Sequence, residues 1–304
     1  MKKITIIIPV FNEEKAILPF YKILQKNLEE NNINFDFEIL FTNNCSTDNS
    51  LQIIKNLIKK DNRVKVLTLS RNFGYQLSLL AALNTVKSDA SIIIDVDNED
   101  PPELINSFLD YYNKGFKIVY GERKKRPESI FISFLRKTFY RFTKLIADYN
   151  FNLDMAEFSL ISKEVIKIII SNNSSYPFIR NEIAYAGYNS KSIQYSRNKR
   201  LNGRSNYNLF GMFKFAIAGI LTSSTFPLRF NLWLSLVLFI LNLIISIFFL
   251  FDLISMKKLI ILLIFEFSIL FVIISFVSIY ISRIYKDVIS RPKYIIDFEN
   301  SINL

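Results

Sequence analysis

Over the first hundred residues, short continuous apolar runs alternate with longer stretches of helical periodicity. Ile4–Val10 is β-branched and unbroken, as expected for a strand buried on both faces. Ala16, Ile17, Phe20, Tyr21, Leu24 and Leu28 then recur at helical spacing. Phe37–Thr42 predicts a second strand. Ser46-Thr47-Asp48 predicts a helix N-cap ahead of the stripe Leu51, Ile54 and Leu57. Val64–Leu69 predicts a third strand, Tyr75–Val86 a third helix, Ser91–Ile94 a fourth strand and residues 116–121 another. Strand–helix alternation with such short connections implies right-handed crossovers. The expected class is α/β, with a Rossmann-like, mostly parallel sheet.

Past residue 229 the amphipathic pattern stops. Phe230–Phe251 and Leu259–Ser282 are almost uncharged, and each is long enough for a bilayer core, which takes about 20 helical residues. Length and lack of charge argue against a buried hairpin in a soluble core. The expected organisation is a cytoplasmic domain (1–207), a membrane-proximal amphipathic helix and linker (208–228), a transmembrane hairpin (229–283) and a cytoplasmic tail (284–304). Arg229, Arg283, Lys286, Arg291 and Lys293 flank the outer ends, against Lys257 and Lys258 in the turn. The positive-inside rule puts both termini in the cytoplasm, at an inner or plasma membrane. Glu266 and Asn242 fall at similar depth, so Glu266 is expected to be neutral and to bond Asn242 or a neighbouring subunit in a homo-oligomer. Met1-Lys2-Lys3 precedes a run too short for a signal peptide, which reads instead as the first strand.

In open parallel sheets, ligands bind beyond the carboxyl ends of the strands. Every polar cluster lies there: Asn12-Glu13, Asn43-Asn44, Arg71-Asn72 and Asp95-Val96-Asp97-Asn98-Glu99-Asp100. Asp95, Asp97 and Glu99 repel one another unless a cation offsets their charge. A hard divalent ion does this and keeps room for substrate phosphates. Taken alone, the residues also fit a solvated acidic loop closed by Pro101-Pro102. The chain has one Cys and no His. That excludes an intramolecular disulfide, His-ligated zinc and His acid–base catalysis. The net charge of +11 includes a basic amphipathic segment with Lys124, Lys125, Arg126, Arg136, Lys137, Arg141 and Lys144. It reads as a helix at the headgroup surface or as a solvated face. No nucleic-acid fold signature accompanies it.

Pro9-Val10-Phe11-Asn12-Glu13-Glu14, Ser70-Arg71-Asn72-Phe73-Gly74 and the acidic cluster resemble family 2 glycosyltransferases. The polyprenyl-phosphate branch (dolichyl- and undecaprenyl-phosphate sugar transferases) is the nearest in pattern. Val119–Arg123, Asp154–Phe158, Arg200–Ser205, Pro227-Leu228-Arg229 and the terminal hairpin extend the resemblance along the chain. It implies a GT-A catalytic domain, a UDP- or GDP-linked sugar donor, Mg²⁺ or Mn²⁺, and a polyprenyl phosphate acceptor. It also implies roles. Asp95, Asp97 and Glu99 would hold the metal. Pro9, Phe11, Glu13, Asn43, Arg71, Asn72, Asp95 and Glu157 would face the donor. Arg123, Arg136, Arg200 and Ser205 would face the acceptor or its phosphate, with Asp97, Arg123 and Arg136 catalytic. Two departures stand out. Asn43-Asn44-Cys45-Ser46 replaces the usual Asp-Asp-Gly-Ser, and Glu99 replaces a usual Gln. The first bears on donor identity, because Asn can bond a base or ribose but brings no charge.

An ionised acceptor phosphate needs no strong general base, which suits a chain without His. A sugar-hydroxyl acceptor would need one, and Glu157 or Asp154 would then serve. A catalytically inactive membrane scaffold is a third reading. A processive polysaccharide synthase fits poorly, since Trp233 is the only tryptophan and lies within a span.

Overall fold

The computed structural model describes residues 1–29, 35–123, 155–172, 174–198, 224–251 and 255–304, with positions 138, 141, 143, 145, 146, 148 and 221. The sequence-predicted basic helix around Arg136, the Arg200–Ser205 loop with Asn202-Gly203, and the membrane-proximal helix at 209–221 lie outside these residues or are represented only by isolated positions.

The alternation read from sequence is present: β1 (Lys2–Val10), α1 (Glu14–Glu29), β2 (Phe35–Asn43), α2 (Ser50–Ile58), β3 (Val64–Thr68), α3 (Tyr75–Thr85) and β4 (Ala90–Ile93). α4 (Leu104–Asn113), β5 (Ile118–Arg123), β6 (Met155–Ser162), α5 (Lys163–Ser171), α6 (Ile179–Tyr185) and β7 (Ser190–Tyr195) follow. The seven strands form one sheet in the order β3-β2-β1-β4-β6-β5-β7. β1 pairs in parallel with β2 and β4, and β2 with β3. β6 runs antiparallel to β4 and β5, so the sheet is mostly parallel, with one reversed strand, the fifth in the order.

Alternating residues of β1 feed opposite faces. Ile4, Ile6 and Ile8 pack with Phe20 and Leu24 of α1, while Ile7 joins Leu79, Leu80 and Leu83 of α3. Burial on both faces is why this strand is a continuous apolar run. The N-cap of α2 falls three residues later than the Ser46 start of the predicted cap. Asn49 takes that position without a side-chain cap bond. Asp48 instead accepts from the backbone N–H groups of Ser50 and Glu14, because its carboxylate also ties the β1–α1 loop to the β2–α2 loop.

α7 (Phe226–Leu250) and α8 (Met256–Ile289) are long and apolar enough to cross a membrane, and none of either hydrophobic window is buried. Asn242 does not reach Glu266. Its amide donates to the Leu238 carbonyl one turn back, at 2.9 Å. Glu266 Oε1 has no hydrogen-bond partner among the described residues. A polar amide in an apolar helix satisfies itself locally when a backbone carbonyl is nearer than the other helix.

α8 runs past the predicted span and docks on the α/β domain. Asp287 Oδ1 accepts from the Ser175 N–H at 2.6 Å, and the Arg283 guanidinium lies over the Tyr176 ring. The chain turns at Ser290 in the left-handed region (φ 52°) and returns to the open edge of β3. Val66 exchanges both backbone bonds with Ile302, Ser70 N–H donates to Ile295, and Asp297 N–H donates to Thr68. Thr68 N–H donates to Ser301 Oγ. This tail covers an edge that would otherwise present unpaired groups.

Deleting residues 291–304 is expected to lower the thermal midpoint in detergent by about 5 °C, roughly 1–2 kcal/mol for a chain of this length. Hydrogen exchange should accelerate at Val66, Thr68 and Ser70. Leu69, whose N–H is bonded to Asn43 of β2, should stay protected. Uniform loss of protection along β3 would show that the tail does not cap the edge in this register.

Candidate functional site

The carboxyl ends of β1, β2, β3 and β4 deliver their loops to one edge of the sheet. The loops after β1 and β2 are laced together by short polar side chains. Asn12 N–H donates to Ser46 Oγ, Asn12 Oδ1 accepts from Thr47 N–H, and Glu13 N–H donates to Ser50 Oγ. Asn12 and Cys45 both sit in the left-handed region (φ 56° and 58°). Pro9 is buried beneath them, and the Phe11 ring is exposed at the rim.

Asn43 and Asn44 are buried, and their amides are committed to fixing loops. Asn43 Oδ1 accepts from Ser46 N–H. Asn44 Oδ1 accepts from Phe73 N–H, while its Nδ2 donates to Asn72 Oδ1 at 2.9 Å. Asn72 Oδ1 also accepts from Gly74 N–H. An aspartate at position 44 would have no donor to offer Asn72, so the Asn44–Asn72 pairing depends on an amide here. Arg71 is exposed and its guanidinium stacks on the Phe73 ring at 3.9 Å.

After β4 the chain turns through Asn98 (φ 61°), a residue type that tolerates the left-handed region. Asp97 Oδ1 accepts from Glu99 N–H at 3.0 Å, an Asx-type turn. Asp95 accepts from the Tyr75 hydroxyl at 2.8 Å. Loss of surrounding water, then the negative charges of Asp100 and Asp97, push the Asp95 carboxyl up to about 7. This corner carries more negative charge than its surroundings stabilise.

Asp100 is 1% exposed and is the anchor of the acidic loop. It accepts from the Tyr195 hydroxyl. It lies 3.3 Å from Arg123 Nη2 and 3.8 Å from Arg197 Nε. Burial alone would lower the Arg123 pKa, but Asp100 and Tyr195 hold it above its ordinary value. Arg123 thus turns inward onto Asp100 rather than standing free for a ligand. Glu99 does not join Asp95 and Asp97 either. It pairs with Arg197 at 2.6 Å, and its carbonyl accepts from Asn198 N–H. Among the described residues, no three carboxylates form a ready-made metal cage. Glu157 on β6 pairs with Arg180 on α6 at 3.1 Å. Arg136, Arg200 and Ser205 lie outside the described residues.

Sequence reasoning missed Tyr75, Arg180 and Tyr195 as site residues, and it missed the burial of Asp100. Asp100 had a signal, since it stands in the acidic cluster. Arg180 and Tyr195 had none, because Tyr195 meets Arg123 only through the pairing of β5 with β7 and Arg180 meets Glu157 only where α6 packs against the sheet.

The fold and this edge define a GT-A glycosyltransferase architecture. Glucosyl-3-phosphoglycerate synthase from Mycobacterium tuberculosis, solved with Mn²⁺, UDP and phosphoglyceric acid, shares the fold. Its TM-score is 0.51 at 16% identity, over 73% of this chain and 78% of that one. The chain belongs to glycosyl transferase family 2, which matches residues 5–170, more than half its length. The SfII prophage-derived bactoprenol glucosyl transferase of Shigella flexneri is 31% identical, over 97% of both chains. YkcC of Bacillus subtilis, an uncharacterized glycosyltransferase, is 30% identical over 96% of this chain and 92% of its own.

A β-bulge between Tyr120 and Glu122 aims Arg123 at Asp100. Gly121 beside it leaves room for Tyr195, whose ring would stand 2.6 Å from an added Cβ. Gly121→Ala is therefore expected to cost about 1–3 kcal/mol from overpacking as Tyr195 is pushed off Asp100. An unchanged melting midpoint would overturn this. Arg123→Met strands a buried carboxylate and is expected to cost about 3 kcal/mol or more. Arg123→Met with Asp100→Asn should recover part of that loss, as read by a double-mutant cycle of thermal midpoints.

Proposed function

We propose that the chain transfers a sugar from a UDP- or GDP-linked donor to a polyprenyl phosphate at a membrane, for cell-envelope glycan synthesis or modification. The observation that carries this reading is the crowded carboxylate corner at the end of β4, joined to two candidate spans in one chain. Near-full-length similarity to bactoprenol glucosyl transferases supports the lipid acceptor. α7 and α8 would cross the membrane as a hairpin. The basic residues at its outer ends would keep the catalytic domain and both termini cytoplasmic.

The residues present suit a divalent cation. The corner offers carboxylate and hydroxyl oxygens, and the Asp95 carboxyl, raised first by loss of water and then by the charges of Asp100 and Asp97, sits where a cation would offset negative charge. Asp95 and Asp97 would hold Mg²⁺ or Mn²⁺, with donor phosphates completing the shell, as suits an ion bound by one or two carboxylates. When bound, the ion would neutralise the leaving diphosphate. The chain's own groups do the rest. Tyr75 fixes the Asp95 carboxylate. Asp100, clamped by Arg123 and Tyr195, fixes the loop that carries both acids. The Asn44–Asn72 fastener sets the floor under the nucleoside, with Phe11, Glu13 and Arg71 at its rim. Arg136, Arg200 and Ser205 are proposed for the acceptor phosphate. Fixed cations there offset the repulsion between two phosphates as the nucleophile approaches the anomeric carbon. No group need remove a proton from an acceptor that is already an anion.

Membranes containing the protein should transfer label from one UDP- or GDP-sugar to undecaprenyl phosphate. Transfer should need Mg²⁺ or Mn²⁺ and fall by about 10²-fold or more in Asp97→Ala, the scale for removing a fixed electrostatic contact to the transition state. Nucleotide binding without transfer from any donor would sink the lipid-phosphate reading and favour a scaffold. Transfer to a sugar alcohol alone would favour the hydroxyl-acceptor reading.

A further inference from the structure

Glu157 and Arg180 form an ion pair that leaves half of each group open. Arg180 Nη2 meets Glu157 Oε1 at 3.1 Å, and the side chains are only 17% and 11% exposed. Glu157 Oε2 and Arg180 Nε are both buried and lack a hydrogen-bond partner among the described residues. Buried polar atoms are rarely left so, and a charged group without its bonds is strongly disfavoured. One open atom is an acceptor and the other a donor, and they belong to one fixed pair.

The location is as specific as the chemistry. Both side chains act electrostatically on Tyr75, and Glu157 acts on Asp95 as well. α6 is tied to α3 by the Ile179 N–H, which donates to Gln76 Oε1 at 2.8 Å. Gln76 is the neighbour of Tyr75. The open pair therefore borders the carboxylate that would face the donor diphosphate.

Few ligand groups satisfy both atoms. An ionised phosphate has no proton for Glu157 and is repelled by it. An apolar group would leave both open. An alcohol hydroxyl has one donor and two acceptor lone pairs. Neighbouring hydroxyls can thus donate to Glu157 Oε2 and accept from Arg180 Nε. We propose that the Glu157–Arg180 pair is the subsite that reads the hydroxyls of the donor hexose, with Arg180 a specificity-determining residue. This rests on the nucleotide-sugar reading above and adds which groups recognise the sugar. A site built to bond a hydroxyl rejects an analogue lacking it far more strongly than an apolar pocket distinguishes a methylene.

The test is binding to the full-length protein in detergent with Mn²⁺, followed by calorimetry and by protection of Cys45, the single thiol, from alkylation. UDP and GDP are compared with their hexose conjugates and with deoxyhexose analogues. Wild-type protein should bind one hexose conjugate at least about tenfold more tightly than its deoxy analogues, the scale of a lost hydrogen bond to a charged group. Arg180→Lys should keep the bare nucleotide Kd within about twofold while losing most of that preference. Arg180→Gln with Glu157→Gln removes both charges and should do the same without a stranded ion. Equal weakening of nucleotide and nucleotide-sugar would assign the pair a structural role and overturn the proposal. So would unchanged discrimination in both variants. A wild-type protein that binds no nucleoside diphosphate would overturn the parent reading as well.

Discussion

Asp100 is the point on which this site depends. A carboxylate at 1% exposure is untenable unless cations and donors surround it. The chain supplies Arg123 from β5, Tyr195 from β7 and Arg197 from just beyond it. Those partners fix one end of the acidic loop. Tyr75 fixes the other end through Asp95. Between the two anchors lies Asp97, whose Oδ1 accepts from the Glu99 N–H. The loop can then hold carboxylates close enough to add to the rise in Asp95 pKa that burial causes, without springing apart, because its backbone is tied down elsewhere. A preformed cage of three acids would bind a cation before the donor arrives. In the proposed site, two acids and a tied loop would leave coordination positions for donor phosphates.

The two halves of the sheet divide the work. The parallel half delivers four loops to one edge and fastens them with short polar side chains. Reversal at β6 breaks the α/β repeat and places Glu157 beside Asp95, while β5 and β7 bring Arg123 and Tyr195. A purely parallel sheet would have sent these groups out on helices. The antiparallel strand lets residues distant in sequence close over the acidic corner at strand precision.

This division explains what could be read from sequence. β1 to β4 and their helices were legible because each buries a face whose period is written locally in Ile, Leu and Phe. The acidic cluster was legible because six residues carry it. The ligand-like reading of Glu99 ignored Arg197, which lies nearly a hundred positions away and pairs with it. The inward turn of Arg123 was hidden for the same reason, since its orientation is set by Asp100 and a bulge beside Gly121. The shifted cap of α2 shows tertiary context overriding propensity. Asp48 serves two loops at once, and the helix starts where that geometry allows. The tail pairing with β3 left no trace in the pattern, because Ile295, Ile296 and Ile302 read equally well as a disordered end.

The tail also gives the apolar hairpin a mechanical meaning. α8 is held to the catalytic domain at Ser175 and Tyr176, shortly before α6 and Arg180. The same chain then runs to β3 and bonds Ser70, one residue before Arg71. Both attachments end beside loops that line the proposed donor site. A tilt of α8 would therefore be felt at both sides of that site, through the Asp287 and Arg283 side chains at one attachment and backbone hydrogen bonds at the other. A catalytic domain merely tethered to a membrane would need only a linker. Two fixed attachments, at the end of α8 and at the β3 edge, instead set the orientation of the site relative to the hairpin. An acceptor whose phosphate sits at a membrane surface requires such a fixed orientation, because its reach above that surface is short.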